Sequence, residues 1–284
     1  MVVLSPPPIL DNYIKTCKKS TATISPVIPA IDLSDPQAKT LIVKACEELG
    51  FFKVVNHGVP TEFLTRIETE ALNFFRLPQS EKDKSGPANP FGYGNKKIGS
   101  NGDVGWVEYL LFSTSPVFFS GDIFAGIPDS LRSAVKDYVG RVKKMTSRVL
   151  EMITEEMKIG DGDGDCLSRL INDAKSDCLL RLNHYPPAPS PVGNLIGFGE
   201  HTDPQIISVS RSNNVSGLQI CLRDGEWVSV PPDEAAFFFN VGDMLQVMTN
   251  GRLGSVKHRV VVAAGEGECG SRRRISAVFF GGPP

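Results

Sequence analysis

The sequence predicts a mainly β fold, a jelly roll or barrel, with helices packed against it from the N-terminal half. Two observations lead there. Past Gly160 about eight short β-rich runs follow one another, separated by Gly, Pro and Asn and with no helical pattern between them. Before Gly160, long stretches carry apolar residues at helical spacing. A chain of 284 residues that is 41% hydrophobic can fill one large domain, or a domain with a helical extension.

The first helix is expected with Asp35 as cap and Pro36 in its first position, since Ala38, Leu41, Ile42, Ala45 and Leu49 recur on one face and Gly50 ends the run. A short strand, Phe51-Phe52-Lys53-Val54-Val55, follows. A second amphipathic helix runs from about Thr61 to Leu77, where Pro78 closes it. A long helix from about Asp129 to Lys158 aligns Leu131, Val135, Tyr138, Val142, Met145, Val149 and Ile153 in one stripe suited to backing a sheet. The strands then read as Cys178 to Tyr185, Leu195 to Phe198, Ile206 to Ser210, Leu218 to Leu222, Trp227 to Val230, Phe237 to Val241, Val256 to Val262 and Ile275 to Phe280.

A net charge of −2 offers no general attraction to nucleic acid or to an anionic membrane, and Arg272-Arg273-Arg274 is too short a cluster to change that. The opening Met1-Val2-Val3-Leu4 is stopped by Pro6-Pro7-Pro8 before it becomes an apolar signal core, and no stretch is long enough to span a bilayer. Cys17, Cys46, Cys166, Cys178, Cys221 and Cys269 form no C-x-x-C pair, which suits reduced thiols and a cytoplasmic location.

The chemistry is expected around His201-Thr202-Asp203 and His258. Two imidazoles and one carboxylate can take one face of an octahedral metal and leave the opposite face open, as non-haem Fe(II) oxygenases require. If residues 199–203 are extended or leave a strand, the H-x-D spacing delivers both ligands together. His258 sits in the β-branched run Ser255 to Val262, on a strand that can pair nearby. Such a centre keeps a residual positive charge that invites an anionic chelating cosubstrate. Arg274 and Ser276, two apart on a strand, can present a guanidinium and a hydroxyl to its far carboxylate, and Tyr185 can add a phenol. His57 and His184 are expected to be structural, because an oxygen-activating iron needs open positions and not a fourth imidazole. Two patterns are set aside. Asp161 to Asp165 begins like an EF-hand loop but has Cys166 where the turn glycine belongs, and Gly265 to Gly270 matches G-x-G-x-x-G without a helix to follow.

These segments resemble the plant Fe(II)/2-oxoglutarate-dependent dioxygenases. The resemblance is carried by Gly50 to Val59, Asn183 to Pro187, His201-Thr202-Asp203-Pro204, Leu218-Gln219-Ile220, Asn240-Val241-Gly242-Asp243, Ser255 to Arg259 and Arg274-Ile275-Ser276. Within that family the chain looks most like the gibberellin 2-oxidases, through Asn89 to Gly94, Ile98-Gly99, Asn101-Gly102-Asp103, Gly105 to Leu111, Phe198-Gly199-Glu200 and the closing Phe280 to Pro284.

The resemblance implies a distorted double-stranded β-helix, a cupin-like jelly roll, over 161–284. Residues 1–160 are then a helical region contributing outer strands and a wall of the substrate pocket. It implies that His201, Asp203 and His258 ligate Fe(II), that Arg274, Ser276 and Tyr185 anchor 2-oxoglutarate with Asn183 lining the same pocket, and that ascorbate serves as reductant. It further implies oxidative decarboxylation of 2-oxoglutarate to succinate, coupled to 2β-hydroxylation of a C19 gibberellin, which inactivates the hormone. Phe91, Tyr93, Trp106 and Tyr109 are candidates for the wall facing such a diterpenoid acid, with Lys96 or Lys97 pairing with its carboxylate. Two departures stand out. Arg274 lies sixteen residues after His258, farther than the resemblance implies, so residues 265–270 are expected to form a lengthened hairpin connection; and the chain stops at Pro284, short of the helical C-terminal segment the resemblance implies. Two alternatives therefore stay open, an oxygenase of the same family acting on another plant small molecule, and a truncated, non-catalytic binding module.

Overall fold

The aromatic run Phe237-Phe238-Phe239 offers apolar side chains to both faces of one strand, and the fold covers both. In the computed structural model, which describes residues 28–88, 90–98, 103–114, 126–160, 164–188, 195–262 and 272–284, the strands form two sheets. In chain order the elements are β1 (Ala30–Asp32), α1 (Ala38–Glu48), β2 (Phe51–Val55), α2 (Thr61–Phe75), α3 (Gln79–Lys82), β3 (Gly92–Ile98), β4 (Asp103–Ser113), α4 (Asp129–Met157) and α5 (Cys166–Asn172). Then come β5 (Leu179–Tyr185), β6 (Leu195–His201), β7 (Ile207–Ser212), β8 (Leu218–Cys221), β9 (Trp227–Ser229), β10 (Phe237–Val241), α6 (Asp243–Met248), β11 (His258–Val262) and β12 (Arg274–Gly281).

The larger sheet has the order β1-β2-β10-β7-β12-β5-β4-β3 and the smaller β6-β11-β8-β9. Apart from the parallel β1–β2 pair, the strand pairs are antiparallel. Helices α1, α2, α4 and α5 cover the outer face of the larger sheet. Phe52, Phe237, Phe239, Leu180, Leu182 and Phe279 pack there with Ile42, Ile67, Tyr138, Val142 and Val149. The opposite residues point between the sheets: Phe51 and Phe238 meet Ile220, Val228 and Val256, while Val107 and Tyr185 meet Val260. Coverage on both faces explains why every residue of β10 is buried, in a run that does not alternate in polarity.

Helix α4 is expected and found, its stripe from Leu131 to Ile153 buried and its end set by Lys158 in the left-handed region, φ 54°. Gly50 ends the first helix for a steric reason besides its φ of 72°, since a Cβ there would stand 1.9 Å from the Gly254 carbonyl oxygen. The start of α1 differs from expectation. Asp35 is not its cap: the Asp35 carboxylate accepts from the Gln37 N–H in a turn one step earlier, and the helix begins at Ala38.

Short or mixed patterns conceal further elements. Helix α6 falls between two of the strands, where no helix was expected; it is only six residues long and exposes Val247 and Met248, so it shows no apolar stripe. In the helical half, β3 and β4 form a hairpin that continues the larger sheet from β5. A carboxylate, Glu108, sits on the buried face of β4, which hides the strand's alternation. Among the described residues no helix is long and apolar enough to cross a membrane. The segments 161–163 and 265–270, Cys17, Cys269 and the side chains of Lys96 and Lys97 lie outside the described residues.

Candidate metal centre

The two histidines meet because β6 and β11 pair antiparallel with His201 directly opposite His258, their ring centroids 4.3 Å apart. The chain leaves β6 after His201, and Asp203 follows in a turn pinned to the start of α6. There the Asp203 carbonyl accepts from the Asp243 N–H at 2.7 Å, and the Thr202 hydroxyl donates to the Asp243 carboxylate at 2.9 Å. Gly242 makes that approach possible. Its backbone lies so close to the turn that a Cβ would stand 1.8 Å from the Gln205 carbonyl oxygen and 3.1 Å from that of Asp203.

Each ring is oriented through its far nitrogen. His201 Nδ1 lies 2.8 Å from the Gly199 carbonyl oxygen and His258 Nδ1 3.2 Å from that of Val256. A carbonyl only accepts, so both Nδ1 atoms carry the proton and both Nε2 lone pairs are free. Each Nε2 stands 3.6 Å from Asp203 Oδ1. The other carboxylate oxygen is occupied, since Oδ2 accepts from the Ser208 hydroxyl and, at 2.9 Å, from Asn240 Nδ2. Burial, reinforced by the neighbouring His258, pushes the His201 imidazole down to about 4, so it stays neutral and able to ligate near neutral pH. The three donor atoms lie within 4.8 Å of one another, and two imidazole nitrogens with one carboxylate oxygen suit Fe(II).

On the facing sheet, β5 and β12 pair Tyr185 with Arg274 and Asn183 with Ser276. Asn183 Nδ2 donates to Ser276 Oγ at 3.3 Å. Arg274 is buried, with its Nε and Nη1 atoms lacking any hydrogen-bond partner. A buried guanidinium with two free donors fits an incoming carboxylate. These residues line one cavity with His201, Asp203, His258, Phe198, Leu218, Val260 and Phe280. The cavity encloses about 80 Å³ and opens to solvent at its mouth.

The aromatic residues expected to face a substrate are placed differently from one another. Tyr93 is held elsewhere, on the helix side of the larger sheet, where its hydroxyl donates to Glu108 at 2.6 Å. Trp106 Nε1 donates to the Pro186 carbonyl at 3.0 Å, and its ring lines a separate recess with Gln79, Lys82 and Asn95. Tyr109 lies under the guanidinium of Arg181, which does line the cavity. Phe91 is half-buried outside the cavity lining. His57 and His184 stand apart from the metal donors: His57 Nε2 lies 3.1 Å from the Ala235 carbonyl oxygen, and His184 Nδ1 donates to Glu108 at 2.6 Å.

Arg181, Ser208 and Asn240 were not singled out from the sequence. Arg181 had a signal, because positions 181, 183 and 185 share one face of a strand. Ser208 had none, and Asn240 only its place at the head of the segment Asn240 to Asp243 that carries the resemblance.

Comparison with known proteins bears on the same residues. A family model for the 2OG-Fe(II) oxygenase superfamily matches residues 176–283, and one for the non-haem dioxygenase N-terminal region matches 28–122. The gibberellin 2-beta-dioxygenase 2 of Arabidopsis thaliana is 54% identical over 100% of this chain and 83% of its own length. The gibberellin 2-beta-dioxygenase of Phaseolus coccineus is likewise 54% identical, over 100% of this chain and 84% of its own. A crystal structure of JOX2 in complex with 2OG, Fe and JA is 28% identical and superposes with a TM-score of 0.81, covering 100% of this chain and 81% of that one. The double-stranded β-helix, the oxygenase model over the metal-binding half and relatives matched along the whole chain agree, and the chain belongs to the 2OG-Fe(II) oxygenase superfamily, in the family of the gibberellin 2-beta-dioxygenases.

Proposed function

We propose that this enzyme hydroxylates the 2β carbon of a C19 gibberellin, with Fe(II), 2-oxoglutarate and dioxygen as reaction partners and ascorbate as reductant. The observation that carries the reading is the convergence of His201 Nε2, His258 Nε2 and Asp203 Oδ1 opposite the unpartnered donors of Arg274. Bound Fe(II) would supply the activation of dioxygen coupled to decarboxylation of 2-oxoglutarate. The chain's own work is holding and excluding. His201, Asp203 and His258 hold the metal; Arg274, Ser276 and Tyr185 receive the far carboxylate of the cosubstrate, with Asn183 beside them. The divalent ion, the Asp203 carboxylate, the cosubstrate dianion and the Arg274 guanidinium then balance in charge, which favours their burial together. Phe198, Leu218, Val260 and Phe280 keep water from the cavity.

In this reading residues 1–160 supply outer strands and part of the pocket wall, through Phe51 in the lining and Tyr109 beneath Arg181, while 161–284 hold the metal. A cytoplasmic setting accords with the four described cysteines, all free.

The test is mass spectrometry of purified protein supplied with Fe(II), ascorbate, 2-oxoglutarate and a panel of gibberellins. A 2β-hydroxylated C19 product with succinate, absent from a His201→Ala variant, is expected. Succinate formed only with some other compound would reassign the substrate, and none above a metal-free control would make the chain a binding module.

A further inference from the structure

We propose that Arg181 is the residue that holds the carboxylate of the organic substrate, and that the cavity therefore selects an apolar acid in its ionised form. This rests on the oxygenase reading above and deepens it by naming the contact.

Two guanidiniums line the cavity, but Asp203 is the only carboxylate among the described lining residues. With Asp203 committed to the metal and the cosubstrate dianion balanced by Arg274, the charge on Arg181 has no counterion. Its orientation is set. Nε donates to Asn183 Oδ1 at 2.8 Å, and the guanidinium carbon lies 3.8 Å from the ring centroid of Tyr109 and 4.8 Å from that of Phe198. Its Nη2 is buried without a hydrogen-bond partner. Arg181 as a whole is half-buried, but a buried cationic donor left unpaired is costly unless an anion completes it.

Register separates this group from the cosubstrate anchor. Arg274 stands opposite Tyr185 on the paired strands, whereas Arg181 stands opposite Val278, four residues further along. At about 3.3 Å per residue the two backbone positions lie about 13 Å apart along the strands, so Arg181 and Arg274 are rooted at different points of the cavity floor. Phe198 links the Arg181 end to the metal, since its ring lies 4.5 Å from that of His201. An acid gripped at Arg181 is thus held beside Phe198, next to the metal-site residue His201.

The experiment is anaerobic calorimetric titration of the Fe(II)- and 2-oxoglutarate-loaded protein with a C19 gibberellin and with its methyl ester. The wild-type protein is expected to favour the free acid by about a hundredfold, the size of effect a buried charge pair produces. Arg181→Met should bring acid and ester to within a few-fold, with any loss of 2-oxoglutarate affinity much smaller than the loss for the acid. Arg181→Lys should keep part of the preference. If Arg181→Met does not fold by circular dichroism, Arg181→Gln, which retains a donor for Asn183, takes its place. Full acid preference in the neutral variant overturns the assignment, as does a loss of 2-oxoglutarate affinity as large as the loss for the acid. Should the wild-type protein bind no gibberellin, the same acid and ester pairs drawn from other apolar carboxylic acids separate the two proposals. A preference that the neutral variant abolishes upholds Arg181 while the gibberellin reading fails, and no preference for any acid overturns Arg181 as well.

Discussion

His201 and His258 are cross-strand partners that orient themselves in the same way, each donating its Nδ1–H to the carbonyl two residues earlier in its own chain, Gly199 and Val256. Both Nε2 atoms are thereby fixed toward Asp203 Oδ1 before any metal arrives. A preformed donor set predicts that metal binds the folded state selectively. Adding Fe(II) under anaerobic conditions at a hundred times its dissociation constant should stabilise the protein by about 2.7 kcal/mol. The shift in melting temperature should vanish in His201→Ala and in His258→Ala; a shift that survives both would place the metal elsewhere.

Asp203 depends on two groups that never touch the metal. Ser208 and Asn240 bind Oδ2 and leave Oδ1 to ligate. Replacing Asn240 by Leu should weaken Fe(II) binding by about 10–100-fold, as loss of an outer partner does. Equilibrium metal titration reads this directly, and an unchanged affinity would show that the carboxylate needs no such support.

Gly242 is predicted to be irreplaceable even by Ala. The added methyl would meet the Gln205 carbonyl oxygen at 1.8 Å, so the turn carrying Asp203 must move. Overpacking of this kind costs about 1–3 kcal/mol, and here it should also weaken metal binding. Denaturant unfolding together with metal titration separates the two losses.

Glu108 is the centre of a buried polar group on the helix side of the larger sheet. It accepts from Lys82 Nζ, Tyr93 OH and His184 Nδ1, each at 2.6 Å. Burial pushes its carboxyl up, but the hydrogen bonds from His184, Lys82 and Tyr93 outweigh that and hold it below the usual range. Its folded value is therefore depressed. The stability it contributes is present above the ordinary carboxylate value of about 4.3 and is lost as pH falls through the lower folded value. Glu108→Gln should flatten the acid limb of the stability curve. Lys82→Met, which removes the ammonium from the buried pair and leaves Glu108 only Tyr93 and His184, should cost up to about 3–5 kcal/mol at neutral pH. Urea unfolding from pH 7 to pH 3 measures both, and an acid limb of equal slope in Glu108→Gln would remove Glu108 from the account.

Arg274→Lys is predicted to impair cosubstrate binding in spite of its retained charge. A guanidinium offers a planar fork that an ammonium cannot reproduce, and the two free donors of Arg274 sit at Nε and Nη1. Calorimetry with 2-oxoglutarate should show weaker binding, while the Fe(II) affinity of the same variant stays near wild type.

The sequence by itself determined what depends on near neighbours. Apolar spacing marked α1, α2 and α4; short β-rich runs between Gly, Pro and Asn marked the strands from β5 to β12; and the metal pair His201 and Asp203, like the pair Arg274 and Ser276, shares a short stretch of chain. Only the tertiary structure decided which strands lie side by side. That His201 faces His258, that β3 and β4 extend the sheet beyond β5, that Asn240 secures Asp203 and that Lys82 meets Glu108 all follow from register between distant segments. It also withdrew Tyr93 from the pocket and brought Arg181 into it. The reason is physical: local periodicity says which face of an element is buried, but the neighbour that buries it is selected by packing over the whole domain, and a buried polar side chain takes its role from that neighbour.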